Sequence, residues 1–96
     1  MDEIFGMKKT RLEDLLLQKI REVKKKMAEE IVKIVCEEIK KLNGEIIKIL
    51  DRTDEEFIHY EIVVRDNRGQ RAIVSVNEEL CFAPTFYPIY YLGDEE

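Results

Sequence analysis

The spacing of apolar residues predicts one long helix near the start of the chain. Between residues 10 and 42 there is no Gly or Pro, and most positions are Leu, Lys, Glu, Ile, Arg or Met, which are acceptable helix formers. Asn43 and Gly44 follow, and both residue types tolerate the left-handed backbone conformation that commonly ends a helix. At 1.5 Å per residue, one helix over this range would be about 50 Å long.

The apolar face of this predicted helix changes direction about halfway along. A first face repeats every 3.6 residues, and a second, broader face is rotated from it by roughly 100° if the helix is straight. The element therefore either breaks near residue 27 or is continuous with two halves that contact different partners. No helix breaker lies there, which favours a continuous helix. The first face contains Leu12, Leu15, Leu16, Ile20, Val23 and Met27, and the second contains Ile31, Val32, Ile34, Val35, Cys36, Ile39 and Leu42.

After Gly44 the apolar period falls from 3.6 to 2, which predicts strands. Three segments rich in β-branched residues fit this period, at residues 45–51, 57–65 and 70–77. The last two are joined by Asp-Asn-Arg-Gly, a hairpin sequence in which Gly69 suits a positive φ. A helix followed by consecutive antiparallel strands predicts a sheet with one face packed on the helix.

The end of the chain gives a weaker strand signal. Pro84 and Pro88 restrict this part to an edge position, because proline cannot donate to a sheet ladder. Residues 89–92 are a candidate edge strand. The predicted fold class is therefore α+β in one domain over residues 1–96. A long N-terminal amphipathic helix (10–42) packs on a three- or four-stranded antiparallel meander with an aromatic tail (45–92).

Composition and charge exclude several classes of protein. Acidic residues outnumber basic ones 21 to 16, and a net charge of −5 argues against nucleic-acid or anionic-membrane partners. No stretch approaches the roughly 18 apolar residues of a membrane helix, and the first residues lack the basic flank of a signal peptide. We therefore expect a soluble, cytoplasmic protein. The abundance of Lys and Glu over uncharged polar residues is typical of hyperthermophile proteins and predicts a thermophilic source.

The helix length predicts self-association. Strands of seven to nine residues reach about 25–30 Å, so one meander covers only about half of a 50 Å helix. The uncovered first half would expose more apolar surface than monomers normally tolerate, and two-fold homodimers are the commonest way to bury such a surface. The predicted function is thus a non-catalytic interaction module that contacts its own copy, with an unidentified second protein also open as a partner. The predicted interface contains Leu12, Leu15, Leu16, Ile20, Val23 and Met27. A helix break near residue 27, with a helical hairpin folded over the sheet, is the monomeric alternative.

An acidic loop between the first two predicted strands supplies the alternative function. Four carboxylates within six residues could provide the oxygen ligands that Ca²⁺ or Mg²⁺ prefers, although the EF-hand spacing of Gly and Glu is absent. The alternative reading is thus a small-ligand or divalent-cation binding protein, and a solvated turn is the simpler interpretation of the loop. The candidate metal ligands are Asp51, Asp54, Glu55 and Glu56.

Catalytic and cofactor motifs are not evident in the sequence. His59 is the only histidine and could act as a general acid or base beside Glu61, but the sequence suggests no nucleophile near it. There is no Gly-rich phosphate loop and no Cys-x-x-Cys pair. Cys36 and Cys81 could form one disulfide, but two buried free thiols are the preferred interpretation. The sequence therefore predicts a protein without enzymatic activity and without a cofactor.

Overall fold

The computed structural model describes residues 3–4 and 7–89, and side chains within residues 11–89. A long helix near the start of the chain is followed by four antiparallel strands, which confirms the predicted α+β class. A short 3-10 helix, Glu78–Leu80, lies before the last strand. The elements are β1 (Glu3–Ile4), β2 (Met7–Lys8), α1 (Lys9–Lys41), β3 (Glu45–Asp51), β4 (His59–Arg65), β5 (Arg71–Asn77) and β6 (Thr85–Ile89). The two-residue strands β1 and β2 pair with each other, and β3 to β6 form one sheet in sequence order.

The helix α1 is continuous and has no break near residue 27. It ends where the sequence predicts, because Asn43 adopts a left-handed conformation with φ of 65° and the Gly44 amide donates to the Ile39 carbonyl at 2.9 Å. Gly44 also lies against the last helical turn. A Cβ atom at this position would come within 2.6 Å of Ile39 Cγ2, so any larger residue would push the helix end away from the sheet.

The hydrophobic core lies between the second half of α1 and the two central strands. Ala28 is completely buried, and Val32 and Val35 follow it on the same helix face. The facing side chains alternate along β4 and β5, as the period of two predicts. The core is completed by Ile58, Tyr60, Ile62, Val64, Val74, Val76 and Phe82.

The β4–β5 hairpin has a five-residue loop, and this loop fixes which side chains enter the core. Arg65 pairs with Arg71, and the Asp66 side chain accepts hydrogen bonds from the amides of Arg68 (2.9 Å) and Gln70 (2.8 Å). Gly69 has the predicted positive φ, at 89°. A shift of one residue in this register would turn every side chain of β5 to the opposite face of the sheet.

The fourth strand differs from its predicted position. It covers Thr85–Ile89 and includes Pro88, whereas the sequence placed it at residues 89–92. Pro88 is tolerated because β6 pairs only with β5 and forms an edge of the sheet. Only Ile89 is common to the predicted and observed strands, and residues 90–92 lie outside the described part of the chain.

Candidate functional site

The first half of α1 extends beyond the sheet. A helix of 33 residues is about 50 Å long, whereas a seven-residue strand spans about 23 Å. The molecule is correspondingly elongated, with principal extents of 62 × 26 × 17 Å. The buried core residues of α1 begin at Ala28, so the apolar residues before this point are not part of the core.

An apolar surface, here named the helix stripe, begins on this first half of α1 and continues past Ala28 to Ile34. Its members follow one another at intervals of four, three, four and seven residues. Alternating intervals of four and three are the spacing of a coiled-coil seam, and the interval of seven contains one seam position that is occupied by Glu30. Each side chain is between 47% and 66% exposed. Because Met27 directly precedes the buried Ala28, the stripe points about 100° away from the core. The helix stripe consists of Leu16, Ile20, Val23, Met27 and Ile34.

Four of the six predicted interface residues belong to the helix stripe. Leu15 is exposed but points about 100° away from the stripe because it directly precedes Leu16, and Leu12 is only partly exposed. The second predicted face includes Ile34 and Leu42, and for these two residues the prediction is wrong, because their side chains are 55% and 73% exposed. The side chain of Ile34 points away from the core. It lies two positions after Val32, so the two side chains point about 160° apart around the helix.

Polar contacts hold the middle of α1 on the end of the sheet. The Arg21 guanidinium donates to the carbonyl oxygens of Glu55, at 3.0 Å, and of Asp54. One turn further on, Lys25 Nζ lies 3.1 Å from Asp51 Oδ2 and 5.5 Å from the centre of the Tyr60 ring. The acidic loop is therefore attached to the helix by its backbone as well as by a side chain.

The carboxylates of this loop act mainly as acceptors for its own backbone. Asp51 accepts from the Thr53 amide at 2.9 Å, and hydrogen bonds from Thr53, followed by the nearby Lys25, lower the pKa of Asp51 to about 2. Asp54 accepts from the amides of Glu56 (2.8 Å) and Phe57 (2.7 Å), which lowers its pKa.

The four predicted metal ligands are thus not brought together. Asp51 and Asp54 are committed to the turn, and Glu55 and Glu56 are exposed side chains on its outer surface. Within the described residues, no group of three or more His, Cys, Asp or Glu side chains is arranged to hold a metal ion.

Charged residues of both signs lie on each side of the helix stripe. On the sheet side, a groove is lined by three glutamates and by helix residues that include two cations, namely Leu17, Gln18, Ile20, Arg21 and Lys24. These glutamates, here named the acidic rim, are Glu55, Glu56 and Glu78. On the other side, exposed lysines recur every seven residues and so follow one side of the helix, where the exposed Glu22 and Glu37 lie among them. This basic row consists of Lys19, Lys26 and Lys33.

A small polar cluster occupies the outer face of the sheet, away from α1. His59 Nε2 lies 3.0 Å from Ser75 Oγ and 3.8 Å from Glu61 Oε2, and Glu61 also pairs with Arg52 Nε at 3.0 Å. The sequence-based statement that no nucleophile lies near His59 is therefore wrong. The hairpin register, in which Glu61 is opposite Ser75, is the signal that would have revealed this neighbour.

This cluster does not have the geometry of a hydrolytic triad. In a triad the two imidazole nitrogens contact different partners, whereas here the serine and the carboxylate both approach Nε2. Ser75 is also only 5% exposed, which restricts access of a substrate to its hydroxyl. The hydrogen bond between His59 and Ser75 is thus a cross-strand contact on a half-buried surface.

The two cysteines are free, as the sequence favoured, but only one of them is partly buried. Cys36 lies on the helix against the core, and burial raises the pKa of its thiol. Cys81 is exposed, which contradicts its predicted burial, because it occupies a left-handed turn position (φ 55°) directly after the 3-10 helix.

Comparison with known proteins gives no assignment: no family model, no curated protein and no solved structure matches this chain. Among the helices in the described part, none combines the length and the apolar character needed to cross a membrane. The helix stripe and its charged borders are therefore the features from which a function has to be argued.

Proposed function

We propose that this chain is a non-catalytic protein interaction module that associates with its own copy through the helix stripe. The observation that carries the proposal is the exposure of a regular apolar seam on a helix whose core-facing side, about 100° away, is already packed on the sheet. From Leu16 to Ile34 the seam is about 27 Å long, enough for about five helical turns to lie against a second helix. A two-fold dimer is the commonest arrangement that buries one such surface on each copy.

Magnitudes favour a reversible dimer over a permanent one. Complete removal of a large apolar side chain from water contributes about 1.5–3 kcal/mol, and the five side chains of the helix stripe are each about half exposed in the monomer. Burying the stripe on one copy therefore contributes on the order of 5 kcal/mol, and about twice that for the pair. Association costs an estimated 4–15 kcal/mol in lost translational and rotational freedom. Because the two quantities are comparable, the dimer should dissociate on dilution.

The proposal is tested by the solution mass of the purified chain, measured by light scattering over a range of concentrations. We expect a mass approaching twice 11.4 kDa at high concentration and a decrease toward 11.4 kDa on dilution. Leu16→Glu places a charge in the seam and should give a monomer at every concentration. Leu42→Glu is the matched control, because Leu42 is also exposed but lies beyond the other end of α1.

A wild-type chain that is monomeric throughout the series would contradict the proposal. Equal loss of association in the two variants would also contradict it, since only Leu16 belongs to the helix stripe. Circular dichroism of both variants establishes that each retains its helix and sheet, so that a lower mass reports the interface.

We also propose a cytoplasmic location and a thermophilic source. The unpaired state of Cys36 and Cys81 supports a reducing compartment, and the excess of Lys and Glu supports the source. Thermal unfolding followed by circular dichroism tests the second part. A midpoint within about 45–65 °C, the usual range for mesophile domains, would contradict it.

A further inference from the structure

An apolar cleft of about 230 Å³ lies between the C-terminal end of α1 and the sheet, at the opposite end of the strands from the acidic loop. It is continuous with the hydrophobic core, because Val64 belongs to the core and Ile39 and Ala72 pack against it. Two of its other walls are open to solvent, since Leu42 is 73% exposed and Phe86 is 58% exposed. The cleft is therefore a place where the core is left uncovered.

The described part of the chain ends beside this cleft. In the pairing of β6 with β5, Phe86 is opposite Val74 and Pro88 is opposite Ala72. Because side chains alternate along a strand, Phe86 and Pro88 lie on the face of the sheet that packs on α1. The Gln70 side chain, which also lines the cleft, donates from Nε2 to the Ile89 carbonyl oxygen at 3.2 Å.

The sequence continues from Ile89 with Tyr90, Tyr91 and Leu92. One further step of the same register places position 90 opposite Gln70, on the face shared by Phe86 and Pro88. Position 90 would then be about 7 Å beyond Pro88, at the cleft, and position 91 would face the other side of the sheet. Two adjacent tyrosines are thus distinguished by the alternation of the strand alone.

A tyrosine side chain suits the chemistry of this cleft. Its ring supplies a large apolar surface, and its hydroxyl needs a polar partner when the ring is buried. The cleft offers Leu42 and Phe86 to the ring, and the exposed polar side chains of Asp66 and Gln70 line it as well.

Tethering favours this occupant over a separate molecule. Position 90 is joined directly to Ile89, whose carbonyl oxygen is held by Gln70 at the cleft. A segment on so short a connection has an effective concentration in the millimolar range. A second copy or a small ligand at micromolar concentration would have to bind on the order of a thousandfold more tightly to compete.

We infer that the cleft is the binding site for Tyr90 of the same chain, so that residues 90–92 cover the open end of the hydrophobic core. The contact is made within one molecule and at the other end of α1 from Leu16. It therefore does not depend on the proposed self-association.

Alanine substitution of the two adjacent tyrosines tests the inference. Tyr90→Ala should lower the equilibrium constant for folding by about tenfold or more, since removal of a large apolar side chain from water contributes this much. Tyr91→Ala is the matched control and should stay within about threefold of the wild type, because position 91 faces away from the cleft. Tyr90→Phe keeps the ring and should also stay within about threefold. Urea unfolding measures all three values.

Nuclear Overhauser effects give a direct readout of the contact. The ring protons of Tyr90 should show cross-peaks to the methyl groups of Leu42 and Ala72, which line the cleft. In an equal mixture of isotope-labelled and unlabelled chains, these cross-peaks should be absent from the spectrum that selects contacts between molecules. They should persist in Leu16→Glu, which changes the helix stripe and leaves the cleft intact.

Three results would overturn the inference. The first is an equal loss of stability in Tyr90→Ala and Tyr91→Ala, and the second is a lack of cross-peaks between Tyr90 and the cleft. The third is cross-peaks found only between labelled and unlabelled chains, which would identify a second copy as the occupant. Each of these results leaves the solution mass of the wild type, and so the test of the proposed function, unaffected.

Discussion

Lys24 Nζ on α1 lies 2.9 Å from Glu78 Oε2, and the other oxygen of that carboxylate accepts a hydrogen bond from the Ile58 amide at 2.9 Å. One side chain therefore joins the helix, the 3-10 helix and the segment that leads into β4. The pKa of Glu78 is lowered first by Lys24 and then by the Ile58 amide. Its position is fixed by Asn77, whose side chain accepts from the Glu79 amide and begins the 3-10 helix.

Two replacements of Glu78 should separate its ion pair with Lys24 from its hydrogen bond with the Ile58 amide. Glu78→Ala removes both contacts and leaves the amide of Ile58 without this acceptor, so we expect a loss of about 1–3 kcal/mol in the free energy of unfolding. Glu78→Gln keeps an oxygen for the amide and removes only the charge, so its loss should be smaller. Urea unfolding of the three proteins measures both values. Equal losses would show that the ion pair with Lys24 accounts for the whole effect.

Acid should destabilise the fold. The pKa of Asp51 falls to about 2 in the folded chain. The carboxylates of Asp54 and Asp66 accept hydrogen bonds from backbone amides, which lowers the pKa of these two side chains as well. A carboxyl with a lowered folded-state pKa contributes stability above its unfolded value of about 4, and this contribution is lost as the pH falls through the folded value. The urea midpoint should thus be constant between pH 7 and about 5 and decrease between about pH 4 and 2.

Asp51→Asn provides the control for this pH dependence. Its amide oxygen can still accept from Thr53, but the group no longer titrates, so the decrease below pH 4 should be shallower than in the wild type. A midpoint that rises on acidification would contradict the assignment of these carboxylates as stabilising acceptors.

Calcium should have little effect on the acidic loop. Two of its four carboxylates accept backbone hydrogen bonds, and the other two do not belong to a cluster of side chains that could hold a cation. We expect the amide resonances of residues 51–57 to remain unchanged on addition of millimolar Ca²⁺. Saturable shifts that disappear in the variant Asp54→Asn with Glu56→Gln would instead support the divalent-cation function.

Ser75 should be inert toward serine-directed reagents. Its hydroxyl is buried, and His59 approaches it through the same nitrogen that faces Glu61. A fluorophosphonate probe should leave the mass of the chain unchanged under conditions that fully label a serine hydrolase. A mass increase that is lost in both Ser75→Ala and His59→Ala would contradict this expectation and point to catalysis.

The sequence predicts most of the fold because its two hydrophobic periods are clear. The absence of breakers fixes a continuous helix, and the β-branched segments give β3, β4 and β5 within two residues of their observed ends. The last strand is misplaced because proline reduces the strand signal over Thr85–Ile89. An edge position removes the penalty for Pro88, but this position is known only once the strand order is known.

The candidate site is less accessible to prediction because it depends on contacts between distant segments. Helical periodicity identifies most of the helix stripe, but assigns Ile34 to the wrong face because apolar residues occur on both sides of Val35. Arg21 contacts the backbone carbonyl oxygens of Asp54 and Glu55. Every residue type has such an oxygen, so the sequence does not indicate this contact. The meeting of His59 and Ser75 likewise requires the register set by the hairpin loop.

Because α1 is continuous, the packing of the core determines the position and direction of the helix stripe. Leu16 lies twelve positions before Ala28, about 18 Å along the helix axis. A tilt of the helix by about 10° around Ala28 would therefore move Leu16 sideways by about 3 Å. This displacement is close to the distance between two carbon atoms in van der Waals contact. A core substitution that changes the angle between helix and sheet thus alters the geometry of a surface that it never touches. Affinity for a partner and repacking of the interior are consequently not independent traits in this chain.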